Sequence, residues 1–147
     1  MGLLAATATA QGCLSLQMTK SDGTPQVIGC GSATLVASGN GDVYRVKAPG
    51  FSVRSYAGLS GLSLGWQEVL LFYPAHSPAT NRMRETTEPI AYQKKTIGMD
   101  ISAFMLAVGY DRVFAVPMPA AGTGVIQFVS YSDREPWKTR VERKEMP

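Results

Sequence analysis

Apolar and polar residues alternate, or gather in short apolar runs, along most of this chain. Residues 14–19 read LSLQMT, and such alternation places every second side chain on one face of a half-buried strand. Glycine, proline or asparagine interrupts the pattern every few residues, as is typical of turns between strands. The pattern predicts strands at residues 14–19, 26–28, 33–38, 43–47, 51–55, 66–73, 90–97, 113–116 and 125–131.

The densest apolar content lies in residues 97–131, which divide into three short runs bounded by glycine and proline. Runs of this length favour buried strands over long helices. One helix competes, because Asp100 could cap a helix that places Ile101, Met105 and Val108 on one face and stops at Gly109. The predicted fold class is therefore all-β, a β-sandwich or barrel-like domain, with one short helix near residues 100–108 as the open alternative.

The predicted organisation is a single β-rich domain with extended termini. Residues 1–12 are small and apolar and are interpreted as an N-terminal arm, residues 13–132 as the domain, and residues 133–147 as a charged C-terminal tail. The glycine-rich stretch 58–65 and the polar, proline-containing stretch 74–89 are interpreted as loops.

The two cysteines, Cys13 and Cys30, flank the first predicted hairpin. A four-residue loop at residues 20–23 would place them directly opposite each other, close enough for a disulfide. A two-residue loop at Asp22 and Gly23 would separate them, and two buried thiols are then the expectation. Pro25 lacks an N–H group and confines its strand to a sheet edge or delays its start.

Composition adds that this surface carries few charges. Only 17% of the 147 residues are charged, against roughly 25% in an ordinary soluble domain, and the net charge is +3. Such a surface belongs either to a neutral β-protein rich in serine and threonine or to a domain partly covered by another chain. No apolar run reaches the roughly 18 residues of a membrane-spanning helix, so no membrane span is predicted.

The residues that could carry chemistry do not form a recognisable set. The only histidine, His76, lies in the polar loop, and no Gly-x-Ser-x-Gly motif accompanies it. The cysteines lack the spacing of a zinc site, and the glycines near Cys30 do not continue as a dinucleotide-binding motif. Glu68 lies within a predicted strand and is interpreted as facing solvent. We therefore expect no catalytic residues, no cofactor and no metal.

Small basic clusters raise the question of nucleic acid. Acidic residues are mixed into the same clusters and cancel much of their field, so nucleic-acid binding is the less favoured interpretation. The candidate nucleic-acid contacts are Arg82, Arg84, Lys94 and Lys95, and the two lysines are expected on the exposed edge of the predicted strand at residues 90–97.

These features together predict a non-enzymatic subunit of an assembly that acts through protein–protein contacts, as a homo-oligomer or as part of a larger particle. The composition resembles that of virion components such as capsid-decorating or minor structural proteins, and the expected location is a virion or the cytoplasm. The alternatives are a β-barrel module that binds nucleic acid or a small ligand, and an enzyme with its site in residues 74–89. The candidate interface residues are Leu3, Leu4, Trp66, Trp137 and Arg140.

Overall fold

The structure, a computed structural model, describes residues 13–38, 41–56, 59–74, 89–102, 105–116, 125–130, 134–135 and 140–145, with the backbone alone for 125–129 and 140–145. All regular secondary structure in this part of the chain is β-strand, so the predicted all-β class is confirmed. The strands are β1 Leu14–Thr19, β2 Pro25–Gly29, β3 Ser32–Ala37, β4 Val43–Tyr56, β5 Leu59–Phe72, β6 Ala91–Ser102, β7 Met105–Ala115, β8 Val125–Ser130 and β9 Arg140–Glu145.

Seven strands form one open, mixed sheet in the order β2-β1-β4-β5-β6-β7, and β3 also pairs with β4. The pairing of β1 with β4 is parallel, whereas β4, β5, β6 and β7 form an antiparallel meander. One edge of β4 is shared, because β3 pairs with residues 43–47 and β1 with residues 51–55. The strands β8 and β9 form a separate antiparallel pair, and β9 lies within the predicted charged tail.

The β1–β2 hairpin turns at residues 20–24. The Gly23 N–H donates to the Lys20 carbonyl at 2.9 Å, and Gly23 has a φ of 86°, which glycine adopts readily. Asp22 Oδ1 accepts hydrogen bonds from the backbone N–H and the hydroxyl of Thr24 at 2.9 Å and 2.6 Å. These two bonds lower the pKa of the Asp22 carboxyl, since they favour its charged form.

Thr19 pairs with Pro25, one residue away from the register that the four-residue loop predicts. Cys13 and Cys30 nevertheless form a disulfide with a Cα–Cα distance of 5.5 Å. The shifted register is compatible with the bridge because β2 ends at Gly29, whose φ is 94°, and Cys30 then donates its N–H to the Leu14 carbonyl at 3.0 Å. The strand that begins at Pro25 lies at the sheet edge, as predicted.

The main sheet is folded back on itself. Gln17 on β1 is aligned with Arg54 on β4, which is aligned with Gly61 on β5. Gln67 lies further along β5, about 20 Å from Gly61 in a straight strand. The Gln17 side chain nonetheless donates from Nε2 to Gln67 Oε1 at 2.9 Å, a distance that no two glutamines bridge across a flat sheet. The strands must therefore bend between these rows.

The bend follows a row of four aligned glycines that crosses β4, β5, β6 and β7. These residues, which we call the glycine row, are Gly50, Gly65, Gly98 and Gly109. Their φ angles are 83°, 125°, 134° and 106°, a region that residues with a Cβ rarely adopt. The glycine row thus forms a corner between two half-sheets. The lower half-sheet consists of β3 and residues 43–49, 66–72, 91–97 and 110–115 of β4 to β7. The upper half-sheet consists of β1, β2 and residues 51–56, 59–64, 99–102 and 105–108 of the same strands.

The apolar core lies between the inner faces of the two half-sheets. Tyr56 and Leu59 of the upper half-sheet join a cluster with Val46, Val69 and Leu71 of the lower one. A second cluster buries the outer face of the lower half-sheet near its end, around Leu70 and Phe72. The folded sheet has the two packed layers expected of the predicted sandwich or barrel-like class.

Several predicted boundaries are wrong for one physical reason. The predicted turn at 48–50, most of the predicted loop at 58–65 and the predicted break at 109–112 all lie inside strands. Their glycines form the corner of a continuous sheet and do not end strands. The alternative helix near 100–108 is also absent, because residues 100–102 belong to β6 and residues 105–108 to β7.

Candidate functional site

The outer face of the upper half-sheet, together with the first row of the lower half-sheet beyond the glycine row, is apolar and exposed. Alternation along each strand sends one set of side chains into the core and the other outward, and the outward set aligns across strands in three rows. We call these rows the apolar outer face. They consist of Pro49, Trp66, Ile97 and Tyr110; of Leu14, Phe51, Leu64, Met99 and Val108; and of Ile28, Leu16, Val53, Leu62, Ile101 and Leu106.

Exposure on this face is greatest along β7. Leu106, Val108 and Tyr110 are 68%, 75% and 67% exposed, and Leu64 in the centre of the face is 49% exposed. Single exposed apolar side chains are ordinary on a protein surface, whereas these side chains form contiguous rows across neighbouring strands. The rows cover about 24 Å by 17 Å on neighbouring strands, or roughly 400 Å² in projection.

Polar residues border the apolar outer face on both sides. Beyond its first row lies a charged row of Lys47, Glu68, Lys95 and Arg112. Glu68 lies 3.9 Å from both Arg45 and Lys95, so this border carries both signs of charge. Beyond the third row, Ser55 aligns with Ser60. The apolar rows are therefore a band of about five residues per strand with polar limits.

The inner face holds a buried ion cluster opposite the apolar outer face. Arg54 Nη2 lies 2.7 Å from Asp100 Oδ1, and both side chains are fully buried. Lys94 forms a very short ion pair with the same carboxylate, and its Nζ lies 3.2 Å from Asp111 Oδ2. Two cations and two anions give the cluster a formal charge of zero. Its charges are paired within the fold, as buried charges must be.

Amides and hydroxyls extend this polar interior. Gln67 accepts a hydrogen bond from Gln17 and lies within 3.5 Å of the Thr96 hydroxyl, and Ser52 and Ser63 share a hydrogen bond at 2.5 Å. The contact from Arg54 to Asp100 is close but poorly aligned. The Nε and both Nη atoms of Arg54 therefore lack hydrogen-bond partners among the described residues. The network fixes the two half-sheets against each other.

Buried tyrosines complete the inner face. Burial is the main cause that raises the pKa of Tyr56, with a smaller contribution from Tyr73 that outweighs the opposing effect of Arg54. Burial likewise raises the pKa of Tyr73. Both phenols are therefore held in the neutral form by their surroundings.

The candidate interface residues lie partly inside the described region. Trp66 belongs to the first row of the apolar outer face and is half-buried there. Leu3, Leu4 and Trp137 lie outside the described residues. Arg140 begins β9, for which the backbone alone is described. Of the five predicted interface residues, Trp66 is thus the one that the structure places on the exposed apolar surface.

The sheet separates two of the candidate nucleic-acid contacts, Lys94 and Lys95. Lys94 is 1% exposed and ion-paired inside the fold, so the expectation that it lies on an exposed edge beside Lys95 is wrong. Neighbouring residues in a strand point to opposite faces, and Lys95 alone faces outward, next to Glu68. Arg82 and Arg84 lie outside the described residues, as does His76.

The sequence analysis predicts neither the apolar outer face nor the ion cluster. Its alternative helix makes Asp100 a cap, and Asp111 lies outside its predicted strands, whereas both residues lie in strands with their carboxylates near Lys94. The available signal was the alternation in β4, where Ser52, Arg54 and Tyr56 share one face and Phe51 and Val53 the other. Reading that alternation through the glycines would have shown one polar and one apolar face.

Among the described residues, no group of three or more His, Cys, Asp or Glu side chains is arranged to hold a metal ion. The described part of the chain contains no helix long and apolar enough to cross a membrane. Comparison with family models, with curated proteins and with solved structures finds no match for this chain.

Proposed function

We propose that this protein is a non-enzymatic structural subunit that works by burying its apolar outer face against other protein subunits. The observation that carries the proposal is that the upper half-sheet has polar side chains on its inner face and apolar side chains on its outer face. The upper half-sheet directs Arg54 and Asp100 inward and leucine, isoleucine and phenylalanine side chains outward. Leaving these apolar side chains in water is unfavourable by about 25 cal/mol per Å², so a partner that covers them gains that free energy.

The height of the apolar outer face favours a protein over a lipid bilayer as the occupant. Its rows span residues 49–53 of β4, 62–66 of β5, 97–101 of β6 and 106–110 of β7. Five residues of strand cover about 17 Å, whereas a bilayer core is about 30 Å thick. The charged row and the serines that border the face also suit the polar rim of a protein interface.

The low charge count of the whole chain supports the same proposal, since a surface buried in an assembly needs few charges. A virion component, such as a capsid-decorating or minor structural protein, is the form of assembly that this composition favours. Other protein subunits, including further copies of this chain, are the proposed partners.

The test is the association state of a variant that places a charge in the centre of the face. Leu64→Lys should lower the mass measured by light scattering or sedimentation relative to the wild type, because burying an unpaired ammonium opposes association. Ser55→Lys is the matched control, since Ser55 is exposed on the same face just beyond the apolar rows. It should leave the mass unchanged.

Two outcomes would overturn the proposal. One is that the wild type is monomeric at every concentration tested and that Leu64→Lys binds other protein subunits as well as the wild type does. The other is co-flotation of the wild type, but not of Leu64→Lys, with phosphatidylcholine vesicles, which would make lipid the occupant.

A further inference from the structure

The two edges of the main sheet differ in how they are protected. At one edge β2 has five residues and begins with Pro25, and β3 beside it has a register shift between Leu35 and Ala37. Short strands, proline and irregularities of this kind discourage pairing with another chain. At the other edge β7 runs over Met105–Ala115 without proline or lysine. Within the described residues, no strand pairs with its outer side.

Within the glycine row, close contacts between neighbouring backbones occur at Gly65 and Gly98 but not at Gly109 on the outer side of β7. A Cβ added to Gly65 would lie 2.2 Å from the Ile97 carbonyl oxygen on β6, and one added to Gly98 would lie 2.1 Å from the Leu64 oxygen on β5. These two glycines are aligned partners, and each approaches the residue that precedes the other. Together they form a nearly twofold-symmetric glycine pair in which two backbones meet closely.

The same close approach recurs on the far side of β4 and then stops. A Cβ on Gly50 would lie 2.3 Å from the carbonyl oxygen of Cys13, the residue before β1, whereas one on Gly109 would meet nothing within 4 Å. Gly109 still has a φ of 106°, the conformation of the other corner glycines. The outer side of β7 at Gly109 therefore has room for the close approach of another backbone, and the described part of this chain does not supply one.

We propose that β7 pairs antiparallel with β7 of a second copy of this chain, about a twofold axis at Gly109. This arrangement repeats the Gly65–Gly98 pair as Gly109 against Gly109, and each glycine then approaches the Val108 carbonyl of the other copy. The proposal deepens the proposed function and rests on it, since it names the second copy as the partner at this edge of the apolar outer face.

A second copy fits this edge better than other strands do. The occupant needs a glycine within a run of extended residues, which β7 itself provides around Gly109. Residues 75–88 contain no glycine, and residues 117–124 contain two prolines near their start. The edge strand β2 offers five residues. Pairing like with like also forms a closed twofold dimer, the commonest symmetry of soluble oligomers.

The proposed register makes a specific geometric statement. With Gly109 opposite Gly109, Val108 of one copy lies directly opposite Tyr110 of the other, and the apolar outer faces of the two copies become continuous. Directly opposed residues have Cβ atoms about 4.5–5.5 Å apart, which a disulfide spans with modest adjustment.

The test is cross-linking between two single variants, Val108→Cys and Tyr110→Cys, mixed and oxidised mildly with the Cys13–Cys30 bridge intact. Both side chains are exposed in the single chain, so both variants should fold. The mixture should shift to the mass of a covalent dimer that contains one copy of each variant. Thr34→Cys, exposed on β3 at the protected edge, is the control and should stay monomeric under the same oxidation.

A mixture that stays at the monomer mass overturns the pairing, and so does a wild type that is monomeric throughout. A covalent dimer formed equally well by Val108→Cys alone overturns the Gly109 axis. Leu64 lies on β5, two strands away from β7, so its variant tests the face separately. An absent cross-link with a clear effect of Leu64→Lys removes the edge pairing alone, and an intact cross-link with no effect of Leu64→Lys removes the face alone.

Discussion

Lys94 and Asp100 lie six residues apart on the same strand, and their side chains still form an ion pair in the interior. Six residues of straight strand cover about 20 Å, far beyond the reach of a lysine and an aspartate. The pair is possible because β6 bends at Gly98, which has a φ of 134°. The ion pair therefore depends on the same corner that brings Gln17 to Gln67. The stability of the ion cluster accordingly depends on the bend.

Neutralising Asp100 should destabilise the protein strongly. Asp100→Asn leaves Arg54 and Lys94 buried with one remaining carboxylate, and the expected loss is about 3–5 kcal/mol of unfolding free energy. Asp111→Asn is the matched comparison and should cost less, because the Asp111 side chain is 17% exposed and, among the described residues, forms an ion pair with Lys94 only. Denaturant titration measures both. Equal losses, or a loss near zero for Asp100→Asn, would contradict the central position of Asp100.

The disulfide should contribute measurably to stability. Cys13 and Cys30 are separated by 17 residues, and closing a loop of this size stabilises a fold by about 3 kcal/mol. Replacing both cysteines with alanine should lower the unfolding free energy by about that amount. Thiol titration in denaturant without reductant should detect no free thiol, whereas two free thiols would show that the bridge does not form.

Corner glycines should differ in their sensitivity to alanine. Gly65→Ala and Gly109→Ala both place a Cβ at positive φ, which costs about 1–3 kcal/mol. Gly65→Ala should cost an additional 1–3 kcal/mol or so, because its Cβ would collide with the Ile97 carbonyl. Denaturant unfolding at protein concentrations low enough for the monomer compares the two. A Gly109→Ala variant that is the less stable of the two would contradict the corner geometry.

Buried phenols should make the fold sensitive to alkali. The pKa of Tyr56 is raised in the folded state by burial, so its contribution to stability is complete below the unfolded value of about 10 and is lost as pH rises above it. Tyr56→Phe should therefore flatten the loss of stability above pH 10 or so, and Tyr73→Phe should flatten it further. Thermal unfolding as a function of pH measures this slope. A slope identical to that of the wild type in both variants would contradict the burial of these phenols.

The local pattern of the sequence determined where chain segments are extended and where the first hairpin turns. The strand at Leu14–Thr19 was predicted with its observed bounds, and Pro25 was predicted to confine its strand to an edge. Both depend on interactions between residues close in sequence, namely side-chain alternation and the missing N–H of proline.

Only the tertiary structure decided which face of that alternation lies inside. In β4 the sequence offers Phe51 and Val53 on one face and Ser52 and Arg54 on the other, and the usual rule would bury the apolar pair. The fold buries the polar pair because Arg54 meets Asp100 from β6 and because the glycine row closes the sheet over them. Those contacts join residues far apart in sequence, so no local pattern contains them. The apolar outer face is left outside for the same reason.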